Sequence, residues 1–161
     1  MSSTFSATVG DWVNRTKRGI EAVFEEAAQD FVKELNSEVT RLVYDAPVSE
    51  SGYRRTGFLR ASLVASTEGM PPLKDGEDRD YGKDEHMGQI ILVINDMDPG
   101  AVLYLGYTSA YAARMHFGYT GPDSLGRTYA QTPKPWVTLC TQRWQEIVNV
   151  AAQRVKQEYG L

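Results

Sequence analysis

Along the first third of the chain apolar residues return every three or four positions: Trp12, Val13, Ile20, Val23, Phe24, Ala27, Ala28, Phe31, Val32, Leu35, Val39, Leu42 and Val43. This spacing predicts one amphipathic helix. The stripe is cleanest over residues 17–44, a length of about 42 Å at about 1.5 Å per residue. Glu21, Glu25 and Glu26 fall in its expected first turns and Arg41 in its last, which complements the helix dipole, and Pro47 stops it. Residues 1–15 read as a mobile terminus. The stripe is rich in aromatics and lacks a leucine at every seventh position, so packing against a sheet is preferred to a coiled coil.

Thr56-Gly57-Phe58-Leu59-Arg60-Ala61-Ser62-Leu63 opens with turn residues and then alternates polar with apolar positions. A tight corner feeding a strand over 59–66 is expected. The polar stretch 67–88 contains Pro71-Pro72 and four glycines and reads as a flexible acidic loop able to order against a partner. The apolar run 89–95 and the segment 101–107 read as two strands of a hairpin. Residues 111–117 fit either helix or strand, and a short helical turn entering a strand is the preferred reading. A loop follows over 118–132. Pro133 and Pro135 set up a last helix, in which Trp136, Val137, Leu139, Cys140, Trp144, Ile147, Val148, Ala151 and Val155 repeat at three and four. The fold class expected is α+β: a long N-terminal and a C-terminal helix packed on a small, mainly antiparallel sheet, in a single domain 1–161.

The chain has 161 residues, enough to bury a core without covalent staples. Its one cysteine, Cys140, excludes an internal disulfide and sits at a core position of the last helix. The N-terminal residues lack the basic and apolar regions of a signal peptide, and no window offers the ~20 apolar residues of a membrane span. An aqueous, reducing compartment is expected. The net charge of -4 is concentrated: over 68–88, seven acids (Glu68, Asp75, Glu77, Asp78, Asp80, Asp84 and Glu85) face three bases (Lys74, Arg79 and Lys83). A protein that grips nucleic acid usually carries a basic face, so the totals argue against that role.

Little in the chain suggests catalysis. His86 and His116 are the only histidines and lack the spacing of a zinc pair. Asp78, Asp80, Gly82 and Asp84 are spaced somewhat like a calcium loop, but the required glutamate six residues past the glycine is missing. There is no nucleophile elbow, phosphate cradle or dinucleotide fingerprint, and solvated acids do not hold the shifted pKa that acid–base work needs. No metal or cofactor is expected. Arg54, Arg55 and Arg60, near Tyr53 and Phe58, form the one basic cluster beside aromatics. It could meet a phosphate backbone or the acids of a neighbouring subunit, and the acidic balance of the chain favours the subunit.

Taken in order, Pro47-Val48, the Thr56–Leu63 octet, Tyr111-Ala112, His116-Phe117-Gly118 and Pro135-Trp136 opening a final helix resemble the minor tail-component or neck family of long-tailed bacteriophages. The resemblance spans about residues 20–155. It departs from the family pattern in the residues inserted over 49–55, in His116 where glutamate is common, in Tyr119 where threonine is common, and in the size of the acidic loop. It implies a non-enzymatic virion protein of the head–tail joint or of tail completion, assembled in the host cytoplasm as a ring of identical subunits around the DNA channel. Implied partners are its own copies, head-closure or adaptor proteins, and tail-tube or terminator proteins; DNA passes without sequence-specific binding, and no membrane is involved. A ring needs two different complementary faces on each subunit. Candidates for these are Arg54, Arg55 and Arg60 with Asp75, Glu77, Asp78 and Asp80, together with His116 and Phe117. The alternatives are a tail terminator capping the tube, or a small metal- or ligand-binding module using the acidic loop and a histidine.

Overall fold

A computed structural model describes residues 4–47 and 54–160. The sequence readings at Val48, over the inserted residues 49–53, and at Tyr53 beside the arginines lie outside the described residues. The apolar stripe forms helix α1, Phe5–Val39, capped by the Thr4 side chain. It begins well before residue 17, so Glu21, Glu25 and Glu26 sit in its middle and the dipole reasoning for them does not apply. The end is near the expected place: a wide π-type turn, Thr40–Tyr44, closes with the Asp45 N–H donating to the Thr40 carbonyl at 2.9 Å.

The corner differs from the expected one. Gly57, at φ 88°, leads into a single helical turn, α2 (Phe58–Ala61), and only then does strand β1 run over Leu63–Ser66. Leu59 and Leu63, four apart, are thereby both buried, which the turn of helix between them permits. The run 89–95 is not a strand. It lies within helix α3, Met87–Asn95, with Ile90 and Ile94 inward and Leu92 outward. A short unbroken apolar run carries no period, and its neighbours decide its conformation. Strand β2, Tyr104–Tyr107, therefore pairs with β1, antiparallel, with Leu63 opposite Tyr107 and Ser66 opposite Tyr104.

Helix α4, Ala112–Phe117, enters strand β3, Tyr119–Pro122, as the preferred reading of that segment had it. The expected loop over 118–132 is a second hairpin, in which β3 pairs antiparallel with β4, Thr128–Gln131. Its turn is held by the Asp123 carboxylate, which accepts from the N–H groups of Leu125 and Arg127 and pairs with the Arg127 guanidinium at 2.7 Å. The last helix is broken at Arg143 into α5, Trp136–Gln142, and α6, Trp144–Tyr159.

The α+β class stands, with the sheet divided into two two-stranded ribbons. The packing partner of α1 differs from expectation: it lies along α5 and α6 rather than on a sheet. Small buried residues, Ala27 and Ala28 on α1 and Ala151 on α6, allow the close approach of helices. Ion pairs of Arg143 with Glu34 and of Arg154 with Asp30 lie along this seam. The main core joins Val32, Leu35 and Val39 of α1 to Leu59, Leu63, Ile90, Ile94, Trp136 and Cys140. Among the described residues no helix is long and apolar enough to cross a membrane.

Candidate functional site

The three arginines of the basic cluster occupy three different environments. Arg55 closes the end of the long helix: its guanidinium donates to the carbonyls of Tyr44 at 2.9 Å, Ala46 at 2.6 Å and Pro47 at 3.0 Å. A helix C-terminus leaves such carbonyls without partners, and one planar fork here satisfies three. Arg60 is buried. It lies over the Tyr44 ring, 4.6 Å from the centroid, donates to Thr40 Oγ1 at 3.1 Å, and its backbone N–H donates to the Tyr44 hydroxyl at 3.2 Å. Burial raises the Tyr44 hydroxyl above its ordinary range, so it stays protonated. The Thr-Gly-Phe-Leu-Arg corner is thereby bolted to the last turn of the first helix.

Only Arg54 is turned to the acidic loop, and the loop it meets is its own. It pairs with Asp80 at 3.0 Å and with Asp78 at 3.7 Å. The two faces expected to meet across a subunit boundary are thus partly joined within one chain. Further ties hold the loop. Arg79 pairs with Glu77 at 2.9 Å and with Glu85 at 2.5 Å and stacks on Tyr81. The Tyr81 N–H donates to the Thr56 carbonyl at 2.7 Å, and Asn36 Nδ2 donates to Asp84 at 2.8 Å. The Arg79 hydrogen bond, helped by the Gly82 N–H, holds the Glu85 carboxyl at about 2. Exposed pairs such as these add little stability singly, yet together they give the loop a shape. Asp75 makes no ion pair among the described residues.

The two histidines are buried. His86 caps the entry to α3 with neither ring nitrogen partnered, and burial first, then the Arg60 charge, lowers its pKa. His116 shares a hydrogen bond at 3.0 Å between Nε2 and Thr138 Oγ1 and stands edge-on to Trp136 at 5.0 Å. Burial lowers its pKa too. Phe117 next to it points to solvent, and a shallow apolar hollow of about 210 Å³ lies between them, Tyr107 and Trp136. Cys140 is fully buried, its thiol pushed up to about 12 by burial, which suits a core residue and not a nucleophile. Among the described residues no three of His, Cys, Asp and Glu cluster as metal ligands would.

One surface went unread in the sequence. The start of α1 continues the apolar stripe past the point where α6 ends, leaving Phe5, Val9, Trp12 and Ile20 exposed. The sequence signal was a stripe longer than any partner helix in the chain could cover. With the geometry in view, no protein family, curated protein or solved structure was found to match this chain.

Proposed function

We propose that this protein is a structural component of a long-tailed bacteriophage particle, acting at the head–tail joint or in tail completion as a ring of identical subunits around the DNA channel. The observation that carries the reading is the place of the resembling residues in the fold. Gly57 adopts the left-handed conformation against the Tyr81 carbonyl, Arg60 is buried on Tyr44, and Trp136 is buried beside Tyr107 and His116. Residues that recur for architecture belong at such junctions, whereas residues that recur for chemistry would converge on a cleft. The net charge of -4 also suits a channel wall that DNA must slip past without sticking. On this reading the protein resides in the virion and its partners are its own copies and the proteins on either side of the joint.

Deleting the gene from its source phage and imaging the lysate tests the proposal. Filled heads separate from tails, or joined particles that cannot deliver DNA, are the expected result. Tails of uncontrolled length would assign the protein to tube termination instead, and normal infectious particles would overturn both readings.

A further inference from the structure

The polar stretch 67–86 has a single buried residue, His86, 8% exposed. From Pro72 to Glu85 every residue is exposed except Tyr81, which is half-buried against Phe58 with ring centroids 5.4 Å apart. The other ties of residues 77–86 to the body are polar. The Tyr81 N–H donates to the Thr56 carbonyl at 2.7 Å, Asn36 Nδ2 donates to Asp84 at 2.8 Å, and Arg54 pairs with Asp78 and Asp80 at the surface. Exposed bonds of this kind hold a segment weakly. The ring of His86 is therefore the peg by which 77–86 is fastened to α1 and α2.

The niche around this peg is polar and poorly matched to a charged imidazole. Neither ring nitrogen of His86 has a hydrogen-bond partner, and Asn36 Oδ1 and Arg60 Nε, both on buried residues, are unpartnered as well. Thr40 Oγ1 joins the last two residues, donating to the Asn36 carbonyl at 2.6 Å and accepting from Arg60 at 3.1 Å. Unpartnered polar groups are costly when buried, and a segment held by them is among the first to open. The charged groups that act on His86 are Arg60 from α2 and Asp84 and Glu85 from its own segment, while α1 brings the neutral Asn36 through its bond to Asp84. Arg60 has no carboxylate partner among the described residues, and its repulsion outranks the attraction of either acid. Both acids are engaged elsewhere, Asp84 with Asn36 and Glu85 with Arg79 and the Gly82 N–H. A protonated His86 would thus stand beside a second cation with no acceptor to receive its two N–H groups.

We infer that His86 is an acid-released peg: on protonation its ring leaves the niche, and residues 77–86 lift from α1 and α2 while the helical body stays folded. Lifting breaks the Asn36–Asp84 and Tyr81–Thr56 bonds, which link the segment to the first helix and to the corner. The open segment presents an ordinary imidazole to water. Opening therefore gains up to about tenfold for each pH unit below 6.5, until the lower folded-state value is reached. The peg acts within the single chain and requires no role in phage.

Hydrogen exchange of the full chain, followed by mass spectrometry from about pH 7.5 to about pH 5 and corrected for the slower intrinsic exchange in acid, tests it. The Tyr81 and Met87 N–H groups, bonded to Thr56 and Asp84, are expected to lose protection by up to about tenfold per pH unit below 6.5. Amides of the α1–α6 seam are expected to keep theirs. His86→Met, a neutral peg, should remove the dependence, and His116→Met should leave it in place. Protection lost equally in both regions, protection that does not change with pH, or a dependence that survives His86→Met would overturn the inference. Where a variant does not fold, the comparison of the two regions in the unaltered chain decides by itself.

Discussion

Gly57 shows how a single residue sets a junction. Its φ of 88° is one that side chains rarely adopt, and a Cβ there would stand 2.8 Å from the Tyr81 carbonyl oxygen. Gly57→Ala is expected to cost about 1–3 kcal/mol from backbone strain, read as a fall in the urea midpoint. Burial also makes the histidines report on folding. His86 and His116 both titrate below the ordinary 6.5 in the folded chain. Below 6.5 the unfolded chain takes up protons that the folded chain refuses, so stability is level above that pH and declines as pH falls through it. A second loss is expected as pH drops from 4.5 toward about 2, where Glu85 is ionised in the folded chain and protonated in the unfolded one. Urea midpoints across pH check both windows, and His86→Met should shrink the first to the part carried by His116 while leaving the second. Glycine and threonine at a corner were legible as punctuation. The burial of Arg60 was not, because a cation in sequence looks the same whether it lies on a tyrosine ring or in water.

At the scale of elements, residues 87–95 and the last helix show what periodicity can and cannot decide. In a strand Leu92 and Ile94 would share a face; in α3 they point apart, Ile94 at 0% exposure and Leu92 at 61%. Ile94→Ala is accordingly expected to cost about 2–5 kcal/mol, whereas Leu92→Lys should stay within about 0.5 kcal/mol. Equal losses in chemical denaturation would favour the strand. The long helix was legible because its stripe repeats over many turns, and so was α5 with α6, apart from the break at Arg143. The hairpin of β3 and β4 was hidden under glycine and proline, since its four-residue strands are half exposed and its pairing depends on the Asp123 turn.

Across the whole molecule, the long first helix divides its labour. Its second half is buried against α5, α6 and α3, whereas its first turns leave Phe5, Val9 and Trp12 exposed. Phe5→Ser and Trp12→Ser are therefore expected to change stability by no more than about 0.5 kcal/mol, while weakening self-association in sedimentation. A large fall in stability with unchanged association would mean that the stripe serves the fold of the single chain. The acidic loop, for its part, keeps Glu77, Asp78, Asp80 and Glu85 occupied at home through Arg54 and Arg79.

By itself the sequence determined the α+β class, the two helical regions and their apolar faces, and the ordered motifs behind the functional reading, because each is written in local spacing. Tertiary structure alone decided that α1 lies on helices instead of a sheet, that 87–95 is helical, and that Arg54 pairs with its own loop. Those outcomes depend on which surfaces meet across more than twenty residues of chain, as Asp80 does with Arg54, and local periodicity carries no record of such encounters.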